Sequence, residues 1–376
     1  MGALNPDPAF WAGRRVLLTG HTGFKGAWLS LWLARLGARV TGFALPPETQ
    51  PNLFTAIGFP SEQSRIGDIR DRAELSEAVA AAEPEIVIHM AAQALVRPSY
   101  ADPVGTFAIN TMGTVHLLEA VRGAPGVRAV VVVTSDKAYE NREWPYAYRE
   151  TEAMGGRDPY SASKGCAELV TSAYRASFFG PGGHPARIAS ARAGNVIGGG
   201  DYSLDRLIPD IVRAFGAGES VEIRAPHAIR PWQHVLEPLA GYLRLAECLA
   251  GAGGEGFAEG WNFGPADEDC RPVATLVERL ARGWGDGAGW HLSQKTHPHE
   301  ATYLKVDASK ARARLGWDRR LPLDTALDWT AAWYRAAAAG ADPRALAEVE
   351  IARYEALGQP GAGVGAQAGV QAGVLA

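Results

Sequence analysis

The chain has 376 residues, 47% of them hydrophobic and 21% charged, with a net charge of −4; this is the balance of a globular protein with ample core. No basic cluster stands out, which argues against nucleic acid as the main partner, and no apolar run approaches membrane-spanning length. The first residues lack a secretory pattern and Pro6 spoils a myristoylation motif at Gly2, so a cytoplasmic address is expected.

Cys166, Cys248 and Cys270 are odd in number and far apart, which predicts reduced thiols and no metal site. Only six lysines occur: Lys25, Lys137, Lys164, Lys295, Lys305 and Lys310. In so arginine-rich a chain, lysine marks places that need a compact ammonium.

Arg14 to Gly20, RRVLLTG, reads as a buried parallel strand ending at glycine. GHTGFKG follows, spacing Gly20, Gly23 and Gly26 as G-x-x-G-x-x-G around Phe24 and Lys25, and an apolar helical run continues to Gly37. Strand, glycine turn and helix together predict a dinucleotide site, with pyrophosphate against backbone N–H groups at the helix start. ARVTGFAL is a second strand, SRIGDI a third, RDRAELSEAVAAA a helix, PEIVIHMAAQ a fourth strand, DPVGTFAINTMGTVHLLEAVRG one long helix and VRAVVVVTSDK a fifth strand.

This alternation predicts an α/β fold with a doubly wound parallel (Rossmann) sheet. Ligands in such sheets lie beyond the carboxyl ends of the strands, which here carry Gly20 to Gly26, Asp68 and Ile69, Ala91 and Ala92, and Thr134 to Lys137. Asp68 can accept from an adenine amine or simply form a turn. The acidic residue expected after the second strand for the ribose of NAD is missing, since Gly42, Phe43, Ala44 and Leu45 stand there. No arginine for a 2'-phosphate replaces it, so NAD is favoured over NADP.

DPYSASK, Asp158 to Lys164, starts the next helix. Asp158 is a helix cap and Pro159 suits the first helical position. Tyr160 and Lys164 then share one face, four residues apart. An ammonium beside a phenol favours the phenolate, and moving a tyrosine from about 10 towards 7 needs roughly 4 kcal/mol of differential interaction.

The glycine loop, TSDK and YSASK together resemble the extended short-chain dehydrogenase/reductase family, over about Arg14 to Trp317. Within it the chain is most similar to the nucleotide-sugar 4,6-dehydratases of the CDP-hexose branch, on GHTGFKG, PNLF at Pro51 to Phe54, TSDKAYENREW from Thr134 to Trp144, GCAEL after Lys164, and IRPWQHVLEPL from Ile229 to Leu239. The resemblance implies oxidation of the hexose at C4 by bound NAD, loss of water across C5 and C6, and return of hydride to C6. It assigns Tyr160 to the C4 hydroxyl, Lys164 to the tyrosine and nicotinamide ribose, Ser135 to the same hydroxyl, and Asp136 to the departing C6 hydroxyl. Related deoxythymidine-sugar enzymes have a glutamate where this chain has Lys137; neutral, Lys137 can be the C5 base, and protonated, it can polarise the C4 carbonyl or pair with Asp136.

Downstream, ARIASARAGNVIGGGDY holds a sixth strand, with Asn195 where relatives contact substrate. Arg206 and Arg230 suit a diphosphate, each binding bidentately. The strand WNFG returns to the sheet, so the expected units interleave: 1–192 plus 232–264 for NAD, 193–231 plus 265–345 as a smaller, mainly helical C-terminal substrate domain, and 346–376 as a helix end and low-complexity tail. HPHEA, His297 to Ala301, reads as a solvated loop, with a nucleotide contact as the alternative. A homodimer or homotetramer is expected through helices at 104–122 and 160–178, as in relatives.

Overall fold

The computed structural model describes residues 4–180, 182–284, 288–295 and 301–358. The central strands are β1 (Arg15–Thr19), β2 (Arg39–Ala44), β3 (Ser64–Ile66), β4 (Ile86–His89), β5 (Ala129–Val133) and β6 (Arg187–Ala193). Between them run helices α1 (Pro8–Trp11), α2 (Phe24–Arg35), α3 (Leu53–Ala56), α4 (Arg72–Ala82), α5 (Val96–Ala101), α6 (Pro103–Phe107), α7 (Gly113–Arg122) and α8 (Pro159–Phe178). After β6 follow β7 (Asn195–Ile197), α9 (Leu207–Gly216), β8 (Val221–Ile223), β9 (Ile229–His234), α10 (Leu236–Ala250) and β10 (Gly260–Phe263). The chain then forms β11 (Cys270–Pro272), α11 (Val273–Trp284), β12 (Trp290–Leu292), α12 (Ser309–Leu315), α13 (Leu323–Ala338) and α14 (Pro343–Leu357).

Seven strands form one parallel sheet in the order β10-β6-β5-β4-β1-β2-β3. Strand order reverses beside β1, which opens a crevice between the β1 and β4 ends. Both faces are covered, so the strands read as unbroken apolar runs: all five residues of β5 are buried. One core joins the sheet to α2, α10 and α13; the other joins it to α4 and α7. The strand read from WNFG returns to the sheet as expected, with β10 pairing β6.

The helices start where their caps predict. Asp158, Asp71 and Asp102 accept from the backbone N–H of Ser161, Glu74 and Gly105 respectively, and Pro159 and Pro103 occupy first positions. The long helix expected over 104–122 forms without interruption, and carries a π-helical turn at Ala108–Met112 between α6 and α7. That turn brings Asn110 inward, where its amide accepts from Gln93 N (2.9 Å) and donates to Gln93 O (3.0 Å) and Ser163 Oγ (2.8 Å).

The second half adds two small sheets, β11-β9-β7 and β12-β8. It also holds the C-terminal helices, mainly on the α2 side of the fold. Helix α14 starts at the Asp342 cap and docks on the body: Tyr354 donates to Glu237 (2.8 Å), and Trp32 donates to Glu355 (2.9 Å). His297 to Glu300 and the tail beyond Gly358 lie outside the described residues. No helix among the described residues is long and apolar enough to cross a membrane.

Candidate active site

A cavity of about 880 Å³ opens beyond the carboxyl ends of β1, β2, β4 and β5 and continues under β7 and α9. At its floor the glycine turn is forced by close approach. Gly20 sits at φ +78°, and a Cβ there would lie 2.6 Å from Ala91 N. Gly23 caps α2 without any side-chain hydrogen bond, which leaves the first-turn N–H groups of Phe24, Lys25 and Gly26 pointing at the cavity. This bare helix start beside a glycine turn fits a dinucleotide pyrophosphate. Ala91 and Ala92 after β4, and Asp68 and Ile69 after β3, line the same end. The Asp68 carboxylate is already engaged by Arg70 (2.5 Å), which holds it below the usual range.

Within β2 the His21 ring packs beside Gly42, bonded to Ser64 Oγ (2.7 Å) and set against Phe54 and Phe59. A Cβ at Gly42 would come within 2.3 Å of the ring. The chain leaves the strand as Leu45, Pro46, Pro47 and Glu48, which line the cavity in place of an acidic strand end. An acidic Glu48 there, with no arginine between Ala44 and Asn52, favours ribose hydroxyls over a 2'-phosphate.

Helix α8 and the loop after β5 bring the expected catalytic residues together. Ser135 donates to Asp136 Oδ1 (3.0 Å), accepts from Lys137 N (3.2 Å), and its hydroxyl favours the Tyr160 phenolate. Asp136 is 2% exposed with Oδ2 unpartnered. Burial raises its pKa, with Lys137 and Arg230 opposing, so the group leans towards the proton-carrying form.

The tyrosine–lysine expectation needs correction. Burial pushes Tyr160 up to about 12, not down towards 7, and lowers Lys164 to about 8. The two share a helix face, but the Lys164 ammonium is turned to the carbonyl of Val133 (3.5 Å). Among cations, Arg206 acts most strongly in favour of the Tyr160 phenolate. Lys25 reaches in from α2 to the Tyr242 hydroxyl (3.0 Å) and is lowered to about 7 by burial, then by Arg206 and Lys164.

On the opposite wall, Asn195 lines the cavity from β7, and Arg206 caps α9 while donating to the buried Asp201 (3.1 Å). Arg230 on β9 donates to the carbonyls of Ile229 (2.9 Å) and Ala301. The two arginines thus serve different places: Arg206 acts on Tyr160, and Arg230 on Asp136. Sequence reasoning missed Asn110, whose signal was a polar residue on an otherwise core-facing helix. It also missed Arg97 and Arg224, which both reach Asp205 at the cavity mouth (2.9 and 3.5 Å) and carry no local signal. Among the described residues no cluster of side chains is arranged for a metal ion.

A doubly wound sheet, a glycine turn at a bare helix start, and a Ser/Tyr/Lys group facing that turn define a dinucleotide-dependent enzyme acting at a hydroxyl-bearing carbon. The chain belongs to the NAD dependent epimerase/dehydratase family, whose model matches residues 16–256. It is 54% identical over 352 residues to a CDP-glucose 4,6-dehydratase of Salmonella typhimurium, covering 93% of this chain and 98% of the relative. A UDP-glucose 4-epimerase of Mycolicibacterium smegmatis is 27% identical, covering 85% of this chain and 98% of that one. The fold is also that of a dTDP-glucose 4,6-dehydratase from Bacillus anthracis solved in complex with NAD, at TM-score 0.71 and 20% identity over 88% of this chain and all of that one.

Proposed function

We propose that the chain converts CDP-glucose to its 4-keto-6-deoxy product by dehydration, with bound NAD restored in each cycle. The observation that carries this is the convergence of Asp136 and Lys137 with Ser135, Tyr160 and Lys164 in one cavity, in a chain 54% identical to a CDP-glucose 4,6-dehydratase.

NAD, held by the Gly20–Gly26 turn, Asp68 to Ile69 and Ala91 to Ala92, supplies the oxidant at C4 and the reductant at C6. Tyr160, lining the cavity beside Ser135, takes the C4 hydroxyl proton. A ketone at C4 acidifies the C5–H bond, because the carbanion becomes an enolate. Asp136, buried and leaning towards its neutral form, gives a proton to the departing C6 hydroxyl. Lys137 takes the C5 proton if neutral, or polarises the C4 carbonyl if charged. Arg206, Arg230 and Asn195 bind the diphosphate side. In this reading residues 1–192 plus 232–264 carry the cofactor and 193–231 plus 265–345 the substrate.

A second reading, a 4-epimerase, needs Tyr160 and Lys164 but gives the buried Asp136 carboxyl no task. Incubation with CDP-, UDP-, GDP- and dTDP-hexoses separates them. The base-labile absorbance of a 4-keto sugar from CDP-glucose, without net NADH, is expected; its absence with every nucleotide ends the dehydratase reading. We also infer a homo-oligomer through α6, α7 and α8, where Val104 (79% exposed), Met112, Leu169 (60% exposed) and Phe178 present apolar side chains outward.

A further inference from the structure

We propose that Glu168, paired with Arg192, is a positioning residue that locks the oxidising half of the site to the eliminating half. Glu168 lies on α8 one turn beyond Lys164, is 5% exposed, and does not itself line the cavity. Its Oε1 accepts from Thr134 Oγ1 (2.5 Å) and Arg192 Nε (2.9 Å); its Oε2 accepts from Ser190 Oγ (2.6 Å) and Arg192 Nη2 (2.7 Å). Four donors fill one carboxylate, so its position is fixed.

What it holds is the catalytic loop, from both ends. Thr134 directly precedes Ser135, Asp136 and Lys137. Beyond the loop, Arg192 Nη1 donates to Tyr139 Oη (2.7 Å), and Tyr139 donates to Asn262 Oδ1 (2.7 Å). Asn262 then donates to the carbonyls of Tyr148 (2.9 Å) and Asp307 (3.1 Å), on the substrate side. Tyr139 and Tyr148 stack at 5.2 Å. Tyr160 and Lys164 stand on the helix that carries Glu168, so one buried carboxylate sets the distance between the two groups of acids and bases. Oxidation at C4 and elimination across C5–C6 must share one sugar pose, and an error of an ångström in that spacing costs rate more than binding.

Glu168 also supports the charge on Lys164 against burial, while Lys25 from α2 and His89 from β4 face the same ammonium. Arg175 and Arg192 are the cations facing Glu168 itself.

The test uses the holoenzyme and the variants E168Q and T134V. For E168Q, kcat falls by at least about thirtyfold while KM for CDP-glucose changes by less than about threefold, since no substrate contact is lost. T134V removes one tether but leaves the ion pair, so it lowers kcat without moving the Lys164 titration. That titration is read directly with lysine labelled with ¹³C at Cε, feasible because the chain has only six lysines, with Lys164→Met assigning the signal. Its midpoint, near 8, moves down in E168Q, because the carboxylate that supports the ammonium is gone.

Unchanged kcat in E168Q, or an unmoved Lys164 midpoint, overturns the proposal. Should E168Q not fold, T134V and Arg192→Lys decide, and full activity in both overturns it. The kinetic arm rests on the dehydratase reading; the titration does not, so a wild type inert towards CDP-glucose refutes that reading alone.

Discussion

Arg206 donates to Asp201 at 3.1 Å, and from that tether its guanidinium is the strongest cationic influence on Tyr160, ahead of the lysine on the tyrosine's own helix. In the proposed mechanism the tyrosine base is therefore conditioned from the opposite wall of the cavity. Arg206→Met should raise the Tyr160 pKa above its present value of about 12. The reactive form is the phenolate, so raising the pKa moves the acidic limb of kcat/KM to higher pH. A loss of about tenfold or more at neutral pH is expected, because one pKa unit is a factor of ten in phenolate. Arg206→Lys should keep the limb in place and raise KM, since an ammonium lacks the planar fork. A pH–rate series on both variants checks this.

Asp136→Asn should uncouple the two halves of the reaction. The amide preserves size and can accept from Ser135, but has no acidic proton for the C6 hydroxyl. Turnover falls by about 10²–10⁴, the usual worth of a positioned general acid. Oxidation at C4 persists, so bound NADH builds up on mixing with CDP-glucose. Stopped-flow absorbance distinguishes this from a variant that has merely lost substrate.

Acid should destabilise the fold before its carboxylates titrate. His89 is wedged between Thr19 (2.7 Å) and Thr114 (3.4 Å), and burial lowers it to about 3; His21 is lowered to about 4. Folded values below the unfolded 6.5 mean that the unfolded chain binds more protons once pH drops under that point. Stability is full above pH 6.5 and is lost as pH falls towards the folded values, at about 1.4 kcal/mol per pH unit for each histidine. Melting curves from pH 7 to 4.5 should show it, and His89→Asn should flatten the slope.

Gly42→Ala tests the packing of His21 against β2. The new methyl meets the His21 ring, which must move against Phe54 and Phe59 and loosen its bond to Ser64. Overpacking of this kind costs about 1–3 kcal/mol. The loop that follows β2 shifts with the ring, so NAD affinity should fall together with Tm. Calorimetric NAD titration beside a thermal melt reads both, and an alanine variant with unchanged NAD affinity would separate ring from loop.

The elements that formed as read are those governed by neighbours in the chain. Strand, glycine turn and helix at Arg14 to Leu36 are set by a local apolar run and by glycines needed for close backbone approach. The Asp158 cap and Pro159 fix the start of α8 in the same way. The π turn at Ala108–Met112 within the long helix was not legible, because it answers to Gln93 and Ser163, which are distant in sequence.

Apolar runs and glycine spacing in the sequence dictate the parallel sheet and the dinucleotide turn, and its family resemblance implied the grouping of Ser135, Asp136, Lys137, Tyr160 and Lys164 in one site. Only the tertiary structure decided their ionisation and tethering. Burial raised Tyr160 and lowered Lys164, Arg206 came from another element to act on the tyrosine, and Glu168 gathered Thr134, Ser190 and Arg192 from three segments. Charge and desolvation depend on what surrounds a group in three dimensions, and a four-residue spacing on a helix records none of that.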